Sequence, residues 1–120
     1  MAEKNYVVYG IPNCDSVKKA FTWLEGHKIA YRFHNYKTEG ITKSKLDNWC
    51  KQLGWENLIN KNSTTWRDLD DTVKNAVTTK AEAIALMQEH TSMIKRPVIE
   101  LDDKVVVMRF NADTYAETFL

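Results

Sequence analysis

The run Tyr6-Val-Val-Tyr-Gly10-Ile-Pro-Asn-Cys14-Asp-Ser16 constrains this chain more than any other stretch. Tyr6 to Tyr9 is β-branched and aromatic, and it reads as a buried strand closed by Gly10 and Pro12. Beyond the cysteine, Val17, Ala20, Phe21 and Leu24 recur at i, i+3, i+4 and i+7. That spacing predicts an amphipathic helix from Ser16 to about Gly26. Cys14 therefore stands between a strand end and a helix start. Backbone N–H groups are unpaired there, and the helix dipole favours an anion. A thiolate so placed has a pKa of about 3.5–7.5 instead of about 8.5. Position alone also suits an ordinary small side chain beside a turn, so a nucleophilic role for Cys14 needs support from elsewhere in the chain.

Ala30 to Phe33 reads as a second strand, parallel to the first across a right-handed crossover. A polar loop, Lys37-Thr-Glu-Gly40, leads into a helix capped by Thr42, carrying Leu46, Trp49, Cys50 and Leu53 on one face and ending at Gly54. Trp55 to Ile59 reads as a helical turn, the segment 60–65 as turn-rich with capping residues, and Asp71 to Val77 and Lys80 to Glu89 as helices. The period then changes. Arg96-Pro-Val-Ile-Glu-Leu101, Asp102-Asp103 and Lys104 to Arg109 predict a β-hairpin with a two-residue turn. Asn111 caps a closing helix from Ala112 to about Phe119. The expected architecture is one α/β domain over 1–120. It has a thioredoxin-like core, β-α-β and then β-β-α, over about 5–38 and 92–120, with a helical insertion over about 40–91.

A chain of 120 residues with 28% charged residues and a net charge of +1 carries no general attraction for nucleic acid or an anionic membrane. No apolar run approaches the roughly 20 residues that span a bilayer, and the N-terminus has no apolar signal core, so a cytoplasmic location is expected. Two cysteines, Cys14 and Cys50, outside any Cys-x-x-Cys pair, and three scattered histidines give no metal pattern. A structural disulfide is not expected in a reducing compartment. Cys50 lies in an apolar helical stripe and reads as a packing residue.

The chain resembles the arsenate reductase (ArsC)/Spx family, and within it the YffB-like members. The resemblance rests on Tyr9 to Ala20, Leu58-Ile-Asn-Lys-Asn62, Thr64-Thr-Trp-Arg-Asp-Leu69, Ile94-Lys-Arg-Pro-Val98 and Met108-Arg-Phe110. It implies a thioredoxin-like fold, Cys14 as the redox nucleophile, a cis bond before Pro97, and an arginine on each side of the hairpin, Arg96 and Arg109. Arsenate reductases carry a further arginine where this chain has Asn60, and they follow the cysteine with Gly-Thr where it has Asp15-Ser16. Both departures argue against arsenate as the natural substrate. Arg67, in the Thr-Thr-Trp-Arg run, can supply the missing charge, while Asn13 and Ser16 can donate hydrogen bonds to the sulfur. Val17 stands where Spx-type regulators often have a second cysteine, which excludes a dithiol switch at this site.

A lone thiolate that attacks a sulfur or an oxyanion leaves an adduct that an outside thiol must resolve. Glutathione is the expected co-substrate, glutaredoxin a possible partner, and a monomer the expected state, with no bound cofactor. Arginines suit both an oxyanion and the two carboxylates of glutathione. Taken singly, each arginine also suits a solvated surface position; their convergence on one cysteine is what favours a thiol oxidoreductase. The alternative is a non-catalytic, Spx-like protein that binds RNA polymerase or another protein through the same scaffold.

Overall fold

A computed structural model describes residues 5–120. The chain forms two compact units: the described residues up to Glu39 with Arg96–Leu120, and Gly40–Lys95. The first unit holds a four-stranded sheet built from β1 (Tyr6–Gly10), β2 (Tyr31–Asn35), β3 (Val98–Leu101) and β4 (Lys104–Met108) in the order β2-β1-β3-β4. β1 and β2 are parallel, and the other pairs are antiparallel. This is the thioredoxin-like arrangement expected from the sequence.

Helix α1 (Asp15–Gly26) connects β1 to β2 and buries Val17, Ala20 and Leu24. With the closing helix α8 (Ala112–Phe119) it covers the sheet face that carries Tyr6, Val8, Ile99 and Val107. Tyr115 of α8 is fully buried in that core, edge-on to Trp23 of α1 at 5.4 Å between ring centroids. Phe21 of α1 stacks on Tyr31 and meets Phe33 edge-on. As expected, Asn111 caps α8, its side chain accepting from the Thr114 N–H. In the hairpin turn Asp102 and Asp103 both take left-handed φ values, 51° and 68°, which is the twist a two-residue hairpin requires.

Two details of this unit differ from the sequence reading. β2 runs from Tyr31 to Asn35, later than the predicted start at Ala30, because all five of its residues pair with Tyr6–Gly10. The segment read as a polar loop contains a single helical turn, α2 (Tyr36–Glu39). The Asn35 side chain starts it by accepting from the Lys37 N–H at 2.9 Å.

The second unit is helical, with α3 (Lys43–Leu53), α4 (Trp55–Leu58), α5 (Thr64–Arg67), α6 (Asp71–Ala76), α7 (Lys80–Glu89) and a 3-10 turn at Thr91–Met93. Thr42 caps α3 and Gly54, at φ 85°, ends it. Ser63 caps α5, and Thr79 with Glu82 forms a reciprocal capping box on α7. α3 packs on α7; α3 buries Leu46 and Trp49, α7 buries Ala83, Ile84 and Met87, and Asp47 pairs with Lys80 at 2.7 Å. On α7 Ala83 is buried, whereas Ala81 and Ala85 are exposed. The unit boundary falls after Lys95 because Ile94 bridges to Ile59 and the Lys95 N–H donates to the Leu58 carbonyl.

Candidate active site

The site is built around the junction of β1 and α1. Gly10 ends β1 where a Cβ would stand 2.7 Å from Val17 Cγ2, so the strand and the first turn of α1 approach closely only because residue 10 has no side chain. This packing fixes the short link from Ile11 to Cys14. Cys14 is the N-cap residue of α1, in extended conformation at φ −140° and ψ 125°, and its carbonyl accepts from the Lys18 N–H. Its own side chain caps nothing. The Val17 and Ser16 N–H groups at the start of the helix and the Arg96 side chain nonetheless act on the sulfur and favour its thiolate.

These contacts decide the charge on the sulfur. Partial burial pushes the Cys14 thiol up, and the Val17 N–H, the Arg96 hydrogen bond and charge, and the Ser16 N–H pull it down. The lowering influences prevail, so Cys14 ionises below an ordinary cysteine. Cys14 is half-buried, so a reagent from solution can reach it. A thiolate that is both stabilised and accessible is a nucleophile.

Arg96 directly precedes Pro97, and the bond between them is cis. The Pro97 carbonyl accepts from the Arg109 N–H at 2.7 Å, which ties the end of β4 to the residue beside Arg96. Arg109 is held in a left-handed conformation, φ 61°, and its carbonyl accepts from the buried Tyr115 hydroxyl. The fold thus brings Cys14, Ser16, Arg96, Pro97 and the Arg109 backbone into one unit, with the Arg109 side chain exposed. Asn13 is exposed on the link before Cys14.

Asn60 and Arg67 belong to the helical unit. The Asn60 side chain accepts from the Asn62 N–H, forming the local turn before α5, and its own N–H donates to the Met93 carbonyl. Arg67 is exposed at the end of α5, and its carbonyl accepts from Lys74 Nζ. Cys50 is buried on α3, and that burial pushes its thiol up, the opposite direction to Cys14.

In the sequence Tyr115 reads only as an apolar residue of the closing helix, spaced i, i+4 with Phe119. Its hydroxyl fixes the Arg109 turn, and the only signal was an aromatic one turn into a capped helix. Lys18, Lys19, Thr22, Trp23 and Phe110 line a shallow groove of about 340 Å³ beside α1. Among the described residues no group of three or more His, Cys, Asp or Glu side chains could hold a metal ion, and no helix is long and apolar enough to cross a membrane.

Comparison with known proteins agrees with this geometry. The sequence model of the ArsC family matches residues 9–118. The solved structure of a YffB protein superposes with a TM-score of 0.89 at 47% identity, covering 96% of this chain and 99% of that one. An uncharacterized protein of Haemophilus influenzae is 44% identical over 93% of this chain and 96% of its own length. The global transcriptional regulator Spx of Streptococcus pneumoniae is more distant, at 30% identity over 85% of this chain and 76% of its own. A match spanning the cysteine, the cis proline and both hairpin arginines leaves one conclusion: the chain belongs to the ArsC family.

Proposed function

We propose that this protein is a thiol oxidoreductase that uses Cys14 alone as nucleophile and glutathione as reductant, acting on mixed disulfides or a small oxyanion. The observation that supports this most is the place of Cys14, half-buried at the N-cap of α1, where the helix start and Arg96 hold its thiol below the ordinary value. With a glutathione mixed disulfide, the Cys14 thiolate attacks the glutathione sulfur. A Cys14–glutathione disulfide forms, and the substrate leaves as a thiolate that takes a proton from water. A second glutathione thiolate then attacks the glutathione sulfur of that disulfide, releasing oxidised glutathione and restoring the Cys14 thiolate. The substrate disulfide gains two electrons and two glutathione sulfurs end joined, so the cycle balances.

The resolving thiol comes from solution because Cys50 is poorly suited to the task. It is buried on α3, and that burial pushes its thiol up, so it offers less thiolate and less access than a small thiol in solution. Arg96 and Arg109 would receive the carboxylates of glutathione, with Asn13 and Ser16 as further candidate anion contacts. Such an enzyme works in the cytoplasm, where glutathione is reduced, and needs no bound cofactor.

The test is glutathione-dependent reduction of the mixed disulfide of glutathione and 2-mercaptoethanol, coupled to glutathione reductase, with arsenate assayed in parallel. Turnover lost in Cys14→Ser and retained in Cys50→Ala is the expected result. Absence of any thiol exchange by the wild type would refute the proposal. The likeness to Spx favours a second reading, a regulator that binds RNA polymerase. Polymerase capture that persists in Cys14→Ser, from a protein without exchange activity, would establish that reading instead.

A further inference from the structure

The groove beside α1 has a role in neither the fold nor the thiol chemistry as described so far. Its walls are aromatic, and they are fixed. Trp23 and Phe110 both meet the fully buried ring of Tyr115 edge-on, at 5.4 and 5.0 Å between centroids. Trp23 also stacks on His27 at 4.0 Å and packs against Phe119 at 5.8 Å. Each wall is thus held on its core side and only half-buried. Thr22 donates its hydroxyl to the Lys18 carbonyl at 3.0 Å, so it adds no donor to the groove.

The rim is basic. Lys18 and Lys19 are exposed, and neither is in an ion pair among the described residues. A lysine beside an apolar groove lays its methylene stem along the wall and keeps its ammonium in water. Two aromatic faces under two ammonium groups are complementary to a flat apolar ring that carries an anion. The volume of about 340 Å³ lies at the lower end of the roughly 300–1,000 Å³ typical of small-molecule sites, so it suits one ring system and not a folded partner. The groove is also placed with respect to the thiol. The Lys18 N–H donates to the Cys14 carbonyl at 3.0 Å, so Lys18 lies one helical turn, about 5.4 Å, beyond Cys14, and Thr22 a turn further. On the other wall, Phe110 directly follows Arg109, whose N–H is held by the Pro97 carbonyl.

We propose that this groove seats the non-glutathione half of the substrate, a small aryl thiol that carries a carboxylate and is joined to glutathione by a disulfide. Trp23 and Phe110 take the ring, Lys18 and Lys19 take its carboxylate, and the disulfide reaches back along α1 to Cys14. This rests on the thiol exchange proposed for Cys14. The aryl half is then the leaving group: the Cys14 thiolate attacks the glutathione sulfur, the disulfide breaks, and the aryl thiolate departs with the electron pair and is protonated by water. Selectivity comes from the pairing of the two features, since a ring without charge forgoes the lysines and a charge without a ring forgoes the walls.

The seat is tested first without chemistry, by titrating the full chain carrying Cys14→Ser with naphthoate and following the backbone and indole N–H signals by NMR. Saturable shifts at Thr22, Trp23 and Phe110 are expected. Lys18→Gln with Lys19→Gln should weaken binding about tenfold, at about threefold for each exposed ion pair. Naphthalenemethanol, the ring without the charge, should bind the unaltered groove as weakly as naphthoate binds the double lysine variant. Thr22→Tyr fills the groove and leaves both lysines in place, so it should abolish the shifts; this separates a seat from general attraction of an anion to a basic helix. Shifts confined to Ser16 and Arg109, or unchanged binding in Thr22→Tyr, would overturn the proposal. The second measurement reads the thiol, in Cys50→Ala. Dithiobis(nitrobenzoate) has a carboxylate on each ring; the Cys14 thiolate attacks one sulfur and releases the other half as a coloured aryl thiolate. The two lysine substitutions should slow this several-fold and change iodoacetamide alkylation less than about twofold. Equal effects on both reagents would overturn the link between groove and thiol. Naphthoate binding without glutathione turnover would sink the enzyme reading, whereas turnover without binding would sink this proposal alone.

Discussion

Arg96→Ala removes the one side chain that holds the Cys14 thiolate and leaves both N–H donors in place. A hydrogen bond to a charged group contributes about 1.5–3 kcal/mol, and solvent screening at a half-exposed sulfur favours the low end. A loss of about 1.4 kcal/mol is about a tenfold change in the thiol–thiolate equilibrium. Below the pKa, alkylation follows the thiolate fraction, so the variant should react about tenfold more slowly there. At alkaline pH both proteins are fully ionised, and the more basic thiolate of the variant should react up to about threefold faster. The two profiles must therefore cross. The assay is iodoacetamide alkylation followed by mass spectrometry from about pH 5 to about pH 10, in Cys50→Ala. A uniform slowing at every pH would mean lost access or lost structure. Identical acid limbs would refute the role of Arg96. Linkage gives a second sign. Cys14 ionises below its ordinary value of 9.0, so its contribution to stability is complete above that value. It is lost as pH falls through the folded-state pKa. Wild type should gain stability toward pH 9 and Arg96→Ala should gain less.

Tyr115→Phe removes the buried hydroxyl that holds the Arg109 carbonyl, and should cost about 1–2 kcal/mol by urea denaturation. Burial raises the Tyr115 phenol, so its contribution is whole below the ordinary value of 10.0 and declines above it as the unfolded chain ionises. The Phe variant should lose less stability than wild type between about pH 10 and 11. Gly10→Ala pushes a methyl to 2.7 Å from Val17 Cγ2 and should cost about 1–3 kcal/mol, partly recovered in the double variant with Val17→Ala. A cost that Val17→Ala leaves unchanged would show that backbone, not this contact, sets the requirement. Asp103→Gly relieves a left-handed residue in the hairpin turn and should raise stability by about 0.5 kcal/mol, read from the melting midpoint.

The parts of the fold legible in the sequence were those written in local chemistry. Apolar spacing gave α1, the change to period two gave the hairpin, and Thr42, Gly54 and Asn111 marked helix ends whose caps the structure contains. α2 escaped notice because one turn has no periodicity; its only signature was Asn35, which supplies the side-chain acceptor. Glu100 was illegible for another reason. A lone polar residue within a strand reads as solvent-facing, and nothing local says that both faces of β3 are buried. Its partner Tyr9 lies 91 residues away, across an antiparallel pairing that only the tertiary fold creates. At the candidate site, Cys14 was readable from position, whereas Arg96 and Arg109 came from resemblance to a family rather than from any local pattern.

That division has a physical basis in how the site is assembled. The helix N-terminus supplies its N–H groups to Cys14 by local geometry alone, so any strand–loop–helix with a cysteine at the N-cap has half of this site. The remainder is tertiary. Arg96 reaches the sulfur because β3 pairs with β1, and the Arg109 turn is held by Pro97 on one side and Tyr115 on the other. A change in the closing helix should therefore alter the thiol site without touching sulfur, while a change in α1 beyond its first turn should not. This asymmetry separates a cysteine that is reactive because it begins a helix from one that is reactive because the whole sheet converges on it. At Cys14 both influences lower the thiol, the Val17 N–H from the helix start and Arg96 from the sheet, so Arg96→Ala measures how much of the second kind this cysteine is.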